Sequence, residues 1–109
     1  MKNAFYILIV VANILIFACK KPSNACFTYS PYDINPGTEV SFNASCSENA
    51  SYFTWSFGDN SSDTTVTAKT ISHTFLTPGQ FKVTLHAKRK DGVSSKKGQP
   101  IITQTITVQ

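Results

Sequence analysis

The chain is 109 residues long, with a formal net charge of +4, 12% aromatic and 15% charged residues. That length supports one small domain, and many aromatics with few charges exclude an intrinsically disordered chain. Thr, Ser, Val, Ile and Phe dominate over strong helix formers, a composition that fits pleated, half-buried strands.

In chain order, residues 1–18 form a leader. Lys2 supplies a positive start, and residues 4–18 are apolar apart from Tyr6 and Asn13. The run stops at Cys19, followed at once by Lys20, Lys21 and Pro22. It falls short of the roughly 20 apolar residues that span a bilayer, while its charge, length and small Ala18 fit a secretory signal. On the residues alone, an uncleaved anchor or ordinary secretion with cleavage nearby are the alternatives. Residues 19–25 read as a short polar tether, and residues 26–109 as the folded domain.

Within that domain Cys26-Phe27-Thr28-Tyr29 alternates and ends at Pro31, as an edge-like first strand does. Asn35-Pro36-Gly37 marks a turn. Glu39 to Ala44 then sets Val40, Phe42 and Ala44 on one face. Tyr52 to Phe57 places Phe53, Trp55 and Phe57 on a single face, the strongest core signal in the chain. Gly58-Asp59-Asn60-Ser61-Ser62 breaks that strand, and a polar Thr-rich stretch leads to Ile71, His73 and Phe75 on a shared face. After Pro78-Gly79, a long strand points Phe81, Val83, Leu85 and Ala87 inward and Lys82, Thr84, His86 and Lys88 outward. Asp91-Gly92 reads as a hairpin turn, and the last strand, within 100–108, turns Ile102, Ile106 and Val108 inward. Short strands at this spacing predict a β-sandwich. With Cys19 set aside, Cys26 and Cys46 are expected to be bridged in an oxidising compartment, two buried thiols being the alternative. Closing a loop of about 20 residues would contribute on the order of 3 kcal/mol.

Two resemblances sharpen this reading. Trp55-Ser56-Phe57-Gly58-Asp59-Asn60, then Ser72-His73-Thr74-Phe75, then Gly79-Gln80-Phe81-Lys82-Val83-Thr84-Leu85 resemble the PKD domain, with its W-D-F-G-D-G hallmark, later H-x-Y and G-x-Y-x-V-x-L strand. The departures are Ser56 for Asp, Asn60 for Gly, and Phe75 and Phe81 for Tyr; Asn tolerates the left-handed backbone that Gly would otherwise supply. The resemblance implies an immunoglobulin-like β-sandwich of about seven strands. In it Trp55, Phe57, Gly58, Asp59, His73 and Phe75 are structural motif residues. Trp55 and Phe57 would fill the centre, Gly58 would allow a bulge or tight bend, and Asp59 would accept from the turn that follows. His73 is expected to use its ring nitrogens on backbone partners. Separately, Ile16-Phe17-Ala18-Cys19 resembles the lipobox of bacterial lipoproteins, although Phe17 is bulkier than usual. That resemblance implies cleavage before Cys19, lipid on its sulfur and several acyl chains, enough for stable attachment.

Enzyme chemistry is not expected. His73 and His86 fall on opposite strand faces, no G-x-S-x-G or H-E-x-x-H occurs, and Asp59 and Asp63 lack a pocket to tune them as acid and base. No cofactor and no metal are assigned, with Ca²⁺ at the Asp59–Asp63 loop left open. Lys88, Arg89, Lys90, Lys96 and Lys97 flank the Asp91-Gly92 turn and form a candidate patch for acidic polysaccharide, lipid phosphate or acidic protein. Edge protection by lysine is the bland alternative. Nucleic acid is not an expected partner of an exported, tethered domain without an exposed aromatic series. Asp63-Thr64-Thr65 resembles an O-glycosylation triplet of Bacteroidetes-type bacteria, leaving modification of Thr64 open.

The expected function is that of a lipid-anchored envelope module that binds protein or carbohydrate without catalysis. A structural spacer or assembly subunit, or a glycan-binding accessory in polysaccharide uptake, are the alternatives. The expected partners are the membrane, through lipid on Cys19, and an envelope protein or polysaccharide. The expected address is the outer membrane. No acidic run follows Cys19, which leans towards the periplasmic face and leaves both faces open. A glycan binder should also expose an aromatic platform, and Tyr29 with Tyr32 is the pair placed to form one.

Overall fold

Seven strands form among the described residues, and β2, β3, β6 and the end of β7 set buried positions at every second residue, as the sequence pattern dictates. They are β1 (Thr28–Ser30), β2 (Glu39–Asn43), β3 (Tyr52–Ser56), β4 (Thr64–Val66), β5 (Thr70–Thr74), β6 (Gly79–Lys88) and β7 (Ile101–Val108). The computed structural model describes residues 21–91 and 98–109. The leader 1–18, Cys19, Lys20, Lys96, Lys97 and Gly92 of the expected hairpin lie outside them.

The strands form two antiparallel sheets, ordered β1-β2-β5 and β4-β3-β6-β7. Their inner faces meet as an immunoglobulin-like sandwich. Trp55 sits at its centre, fully buried, with Phe27 edge-on at 5.3 Å and Phe42 at 5.7 Å between ring centroids. Val40, Phe42, Phe53, Val83, Leu85, Ala87, Ile106 and Val108 complete the core on the predicted faces. Each large apolar side chain buried this way contributes roughly 1.5–3 kcal/mol of transfer free energy. Gln104 shares the inward parity of β7, and its amide nitrogen donates to the Phe27 carbonyl at 2.8 Å, which gives that inward donor a partner.

The structure departs from the sequence pattern in four places. The Thr-rich stretch after Asp63 is strand β4, paired with β3 from Phe53↔Val66 to Trp55↔Thr64. Its only apolar residue is Val66, so no alternation marks it, and a Thr54–Thr65 hydroxyl contact of 2.9 Å reinforces the ladder. Ile34 is buried although it lies in a loop, because that loop bridges Val108 of β7. Phe27 is core although regular pairing begins at Thr28. The C-terminal part of the expected tether is also built into the domain. Ser23 is fully buried, Asn24 exchanges backbone hydrogen bonds with Glu48, and the Ala25 N–H donates to the Gln99 carbonyl at 2.7 Å.

Candidate functional site

The molecule has two poles and an exposed aromatic flank. The far pole gathers the motif residues after β3. Gly58 has φ +69, and a Cβ there would lie 2.5 Å from the Lys82 carbonyl oxygen of β6. The chain therefore needs glycine for close backbone approach as well as for its left-handed conformation. The turn beyond it continues through Asn60, also at positive φ (65).

Asp59, held by this turn, accepts from the Ser61 N–H at 3.2 Å and from the Ser61 hydroxyl on Oδ1. His73 corrects the expectation of backbone partners: its Nε2 lies 2.6 Å from Asp59 Oδ2, a carboxylate reached across from β5. The ring stacks flat on Phe57 at 3.9 Å and meets Phe75 edge-on at 4.8 Å. Burial alone would raise the Asp59 pKa. Hydrogen bonds from the Ser61 hydroxyl, His73 and the Ser61 N–H, with attraction to His73, outweigh it and hold the carboxyl below its ordinary value.

Both Asp59 oxygens are thus engaged within the protein. Exposed Asp63 does not join them in a metal-ligand cluster, and no group of three His, Cys, Asp or Glu side chains suited to a metal occurs among the described residues. His86, on β6, is pushed below its ordinary pKa by burial and then by Lys88. The far-pole cluster borders a pocket of about 420 Å³ lined by Asn60, Ser61, Thr74, Leu76, Thr77 and Phe81 as well as Asp59 and His73. Leu76, 81% exposed at its rim, carried no sequence signal because it stands alone in a loop.

At the near pole the Cys26–Cys46 disulfide joins the start of the domain to the loop after β2, with Cα atoms 5.3 Å apart. The Ser47 hydroxyl donates to the Cys26 carbonyl and accepts from the Cys26 N–H, at 2.8 and 2.9 Å. Of the five-cation patch expected from sequence, Lys88, Arg89 and Lys90 are described. Lys88 and Lys90 share a shallow cleft with Tyr52, Thr65 and Asp91. Arg89 and Lys90 line a second, of about 430 Å³, with Asp91 and Lys21, a residue the sequence reading assigned to the tether. Arg89 Nη2 reaches Asp91 Oδ2 at 3.4 Å.

On the flank, Tyr29 of β1 leans on Phe42 with 6.1 Å between centroids. It holds the ring of Tyr32 edge-on at 5.1 Å and 79°. Tyr32 is 75% exposed, so the ring presents an open face to solvent.

A family model described as the PKD domain matches residues 24–106. Among solved structures, one determined for the basis of promiscuous specificity in carbohydrate-binding modules of the β-sandwich superfamily is 36% identical, with a TM-score of 0.70. The match covers 82% of this chain and 35% of that one, so the chain spans about a third of that protein's length. No curated protein sequence matches the chain significantly.

Proposed function

The chain belongs to the PKD domain family, and from that premise we propose that it is a non-catalytic, glycan-binding module held at the bacterial envelope by lipid on Cys19. The open face of Tyr32, propped by Tyr29, carries the carbohydrate part of this reading. Aromatic faces offer large contact area at little conformational cost, and a ring already fixed by a neighbour loses less freedom on binding. Similarity to a structure concerned with carbohydrate-binding modules supports the ligand class. The lipobox-like Ile16-Phe17-Ala18-Cys19 supports the anchor and the cut before Cys19, and the Asp63-Thr64-Thr65 triplet supports an outer-membrane address of Bacteroidetes type. In that arrangement 1–18 is removed and the binding domain includes Ser23 to Ala25 together with 26–109.

Affinity electrophoresis against a panel of neutral and acidic polysaccharides tests the binding. The expected result is retardation by at least one glycan, weakened about tenfold or more by Tyr32→Ala, the loss typical of a central aromatic contact. Leu76→Ala should bind as the parent does. Retardation by none of the glycans, or unchanged binding by Tyr32→Ala, overturns the assignment. An assembly role then gains weight, with exposed Leu76 as its contact. Intact mass of the membrane-extracted protein tests the anchor: Cys19 to Gln109 plus lipid is expected, and an unlipidated full-length mass overturns it.

A further inference from the structure

The described charges are sorted by pole. Lys21, Lys69, Lys88, Arg89 and Lys90 lie at the near pole, and Lys82 is the only described Lys or Arg in the far half. Lys21, Arg89 and Lys90 line one cleft, Lys88 and Lys90 its neighbour. Lys69 enters the same end through its carbonyl, which accepts from the Ala44 N–H at 2.7 Å. The carboxylates run the other way. Asp33 and Glu39 flank the end where Ile34 meets Val108 and Glu39 meets Thr74, Asp59 sits in the far-pole turn, and Asp63 precedes β4. Only Glu48 and Asp91 stand among the near-pole cations, and Asp91 faces Arg89.

The near pole is also where the chain leaves towards Cys19. Pro22 is pinned there: its carbonyl accepts from Asn49 Nδ2 at 3.0 Å. Its Cβ lies 2.9 Å from where a side chain on Gly98 would begin. The Gln99 N–H donates to Asn24 Oδ1 at 2.9 Å, closing the same end. Lys20 alone separates Cys19 from Lys21, and two extended residues reach at most about 7 Å. That is within one screening length at physiological salt, about 8 Å.

We infer that the near pole is a membrane-contact surface for anionic lipid headgroups, which seats the domain basic end down with Tyr32 and the acidic far pole turned away. This rests on the lipid attachment at Cys19 proposed above. A tether this short cannot hold Lys21 outside the field of the bilayer surface, and Arg89 and Lys90 line the same cleft as Lys21. A positive pole facing the membrane and a negative pole facing away then give the domain one favoured orientation. The basic cluster thus orients the module, and the glycan surface lies elsewhere.

Lysine footprinting tests the contact. The protein, expressed from its whole chain, matured in its membrane and extracted, is reconstituted in phosphatidylcholine vesicles with or without about 30% phosphatidylglycerol, an anionic lipid. An uncharged acylating reagent then labels the lysines. Lys21 and Lys90, both exposed, should be labelled at least about threefold more slowly on anionic than on neutral vesicles. Lys82, in the same molecule, should be unchanged. About 1 M salt, where the screening length is near 3 Å, should abolish the difference. Intact mass of the same sample separates the two failures. A lipidated protein with equal labelling on both vesicles overturns the contact and leaves the anchor standing. An unlipidated mass overturns the anchor, and the contact with it. Slowing of Lys21 and Lys90 by polygalacturonate, with none on anionic vesicles, assigns the pole to an acidic polysaccharide and overturns the membrane contact.

Discussion

The two poles of this sandwich lie about 30 Å apart along the ten residues of β6, and different physics holds each. At the far pole one acid and one base face each other: Asp59 is enclosed by Ser61 and His73, and the His73 ring is stacked on Phe57. That pair is satisfied internally and rigidifies the turn, while Asp33, Glu39 and Asp63 remain exposed. At the near pole a covalent bridge and backbone hydrogen bonds secure the chain, leaving most cations exposed to act on something outside. A motif that looks chemical, Asp and His together, here closes a turn, whereas lysines that look like ordinary surface carry the membrane contact proposed above.

Substitutions at each pole sharpen this contrast. The largest effect is expected from Gly58→Ala, which would put a methyl group 2.5 Å from the Lys82 carbonyl oxygen at a positive φ. Left-handed strain and backbone displacement together should cost at least about 3 kcal/mol, read as a lowered urea midpoint or failure to fold. Next comes the near-pole bridge. Cys26→Ala with Cys46→Ala should cost about 3 kcal/mol, and reduction of the parent protein should lower its midpoint by a similar amount.

A smaller loss, about 1–2 kcal/mol near neutral pH, is expected from Asp59→Asn, which keeps an acceptor for Ser61 but removes the charge beside His73. Its pH dependence identifies it. Because the folded-state pKa of Asp59 is depressed, the unfolded chain takes up the proton first as pH falls. The contribution is complete above the ordinary aspartate value of about 3.9 and is lost as pH drops through the folded value. Urea titrations from neutral to strongly acidic pH should show this acid limb in the parent and its absence in Asp59→Asn. Combining Asp59→Asn with the paired cysteine replacements tests the separation of the poles. Their costs should add within about 0.5 kcal/mol, and a larger coupling would break the comparison.

Strong apolar alternation made most of the fold legible in advance. Val40 and Phe42, Phe53, Trp55 and Phe57, and Val83, Leu85 and Ala87 all point where period-two reasoning puts them. What escaped that reasoning lacked a periodic pattern. Strand β4 is an all-but-polar edge held by its ladder, and Ile34 is buried by a loop crossing β7. His73 was expected on backbone partners because it faces inward beside Phe75; the carboxylate that takes its nitrogen lies 14 residues earlier.

The sequence by itself determined the all-β class, most core faces and the family motif, because each depends on residue type at short spacing; it made the Cys26–Cys46 bridge the expected one, and the structure shows it. Only the tertiary structure decided which charges share an end. Lys21 and Lys90 lie far apart in the chain, and antiparallel strands that reverse at every turn bring them to one pole. Composition counts these charges, but their direction in space exists only once the sheets are folded.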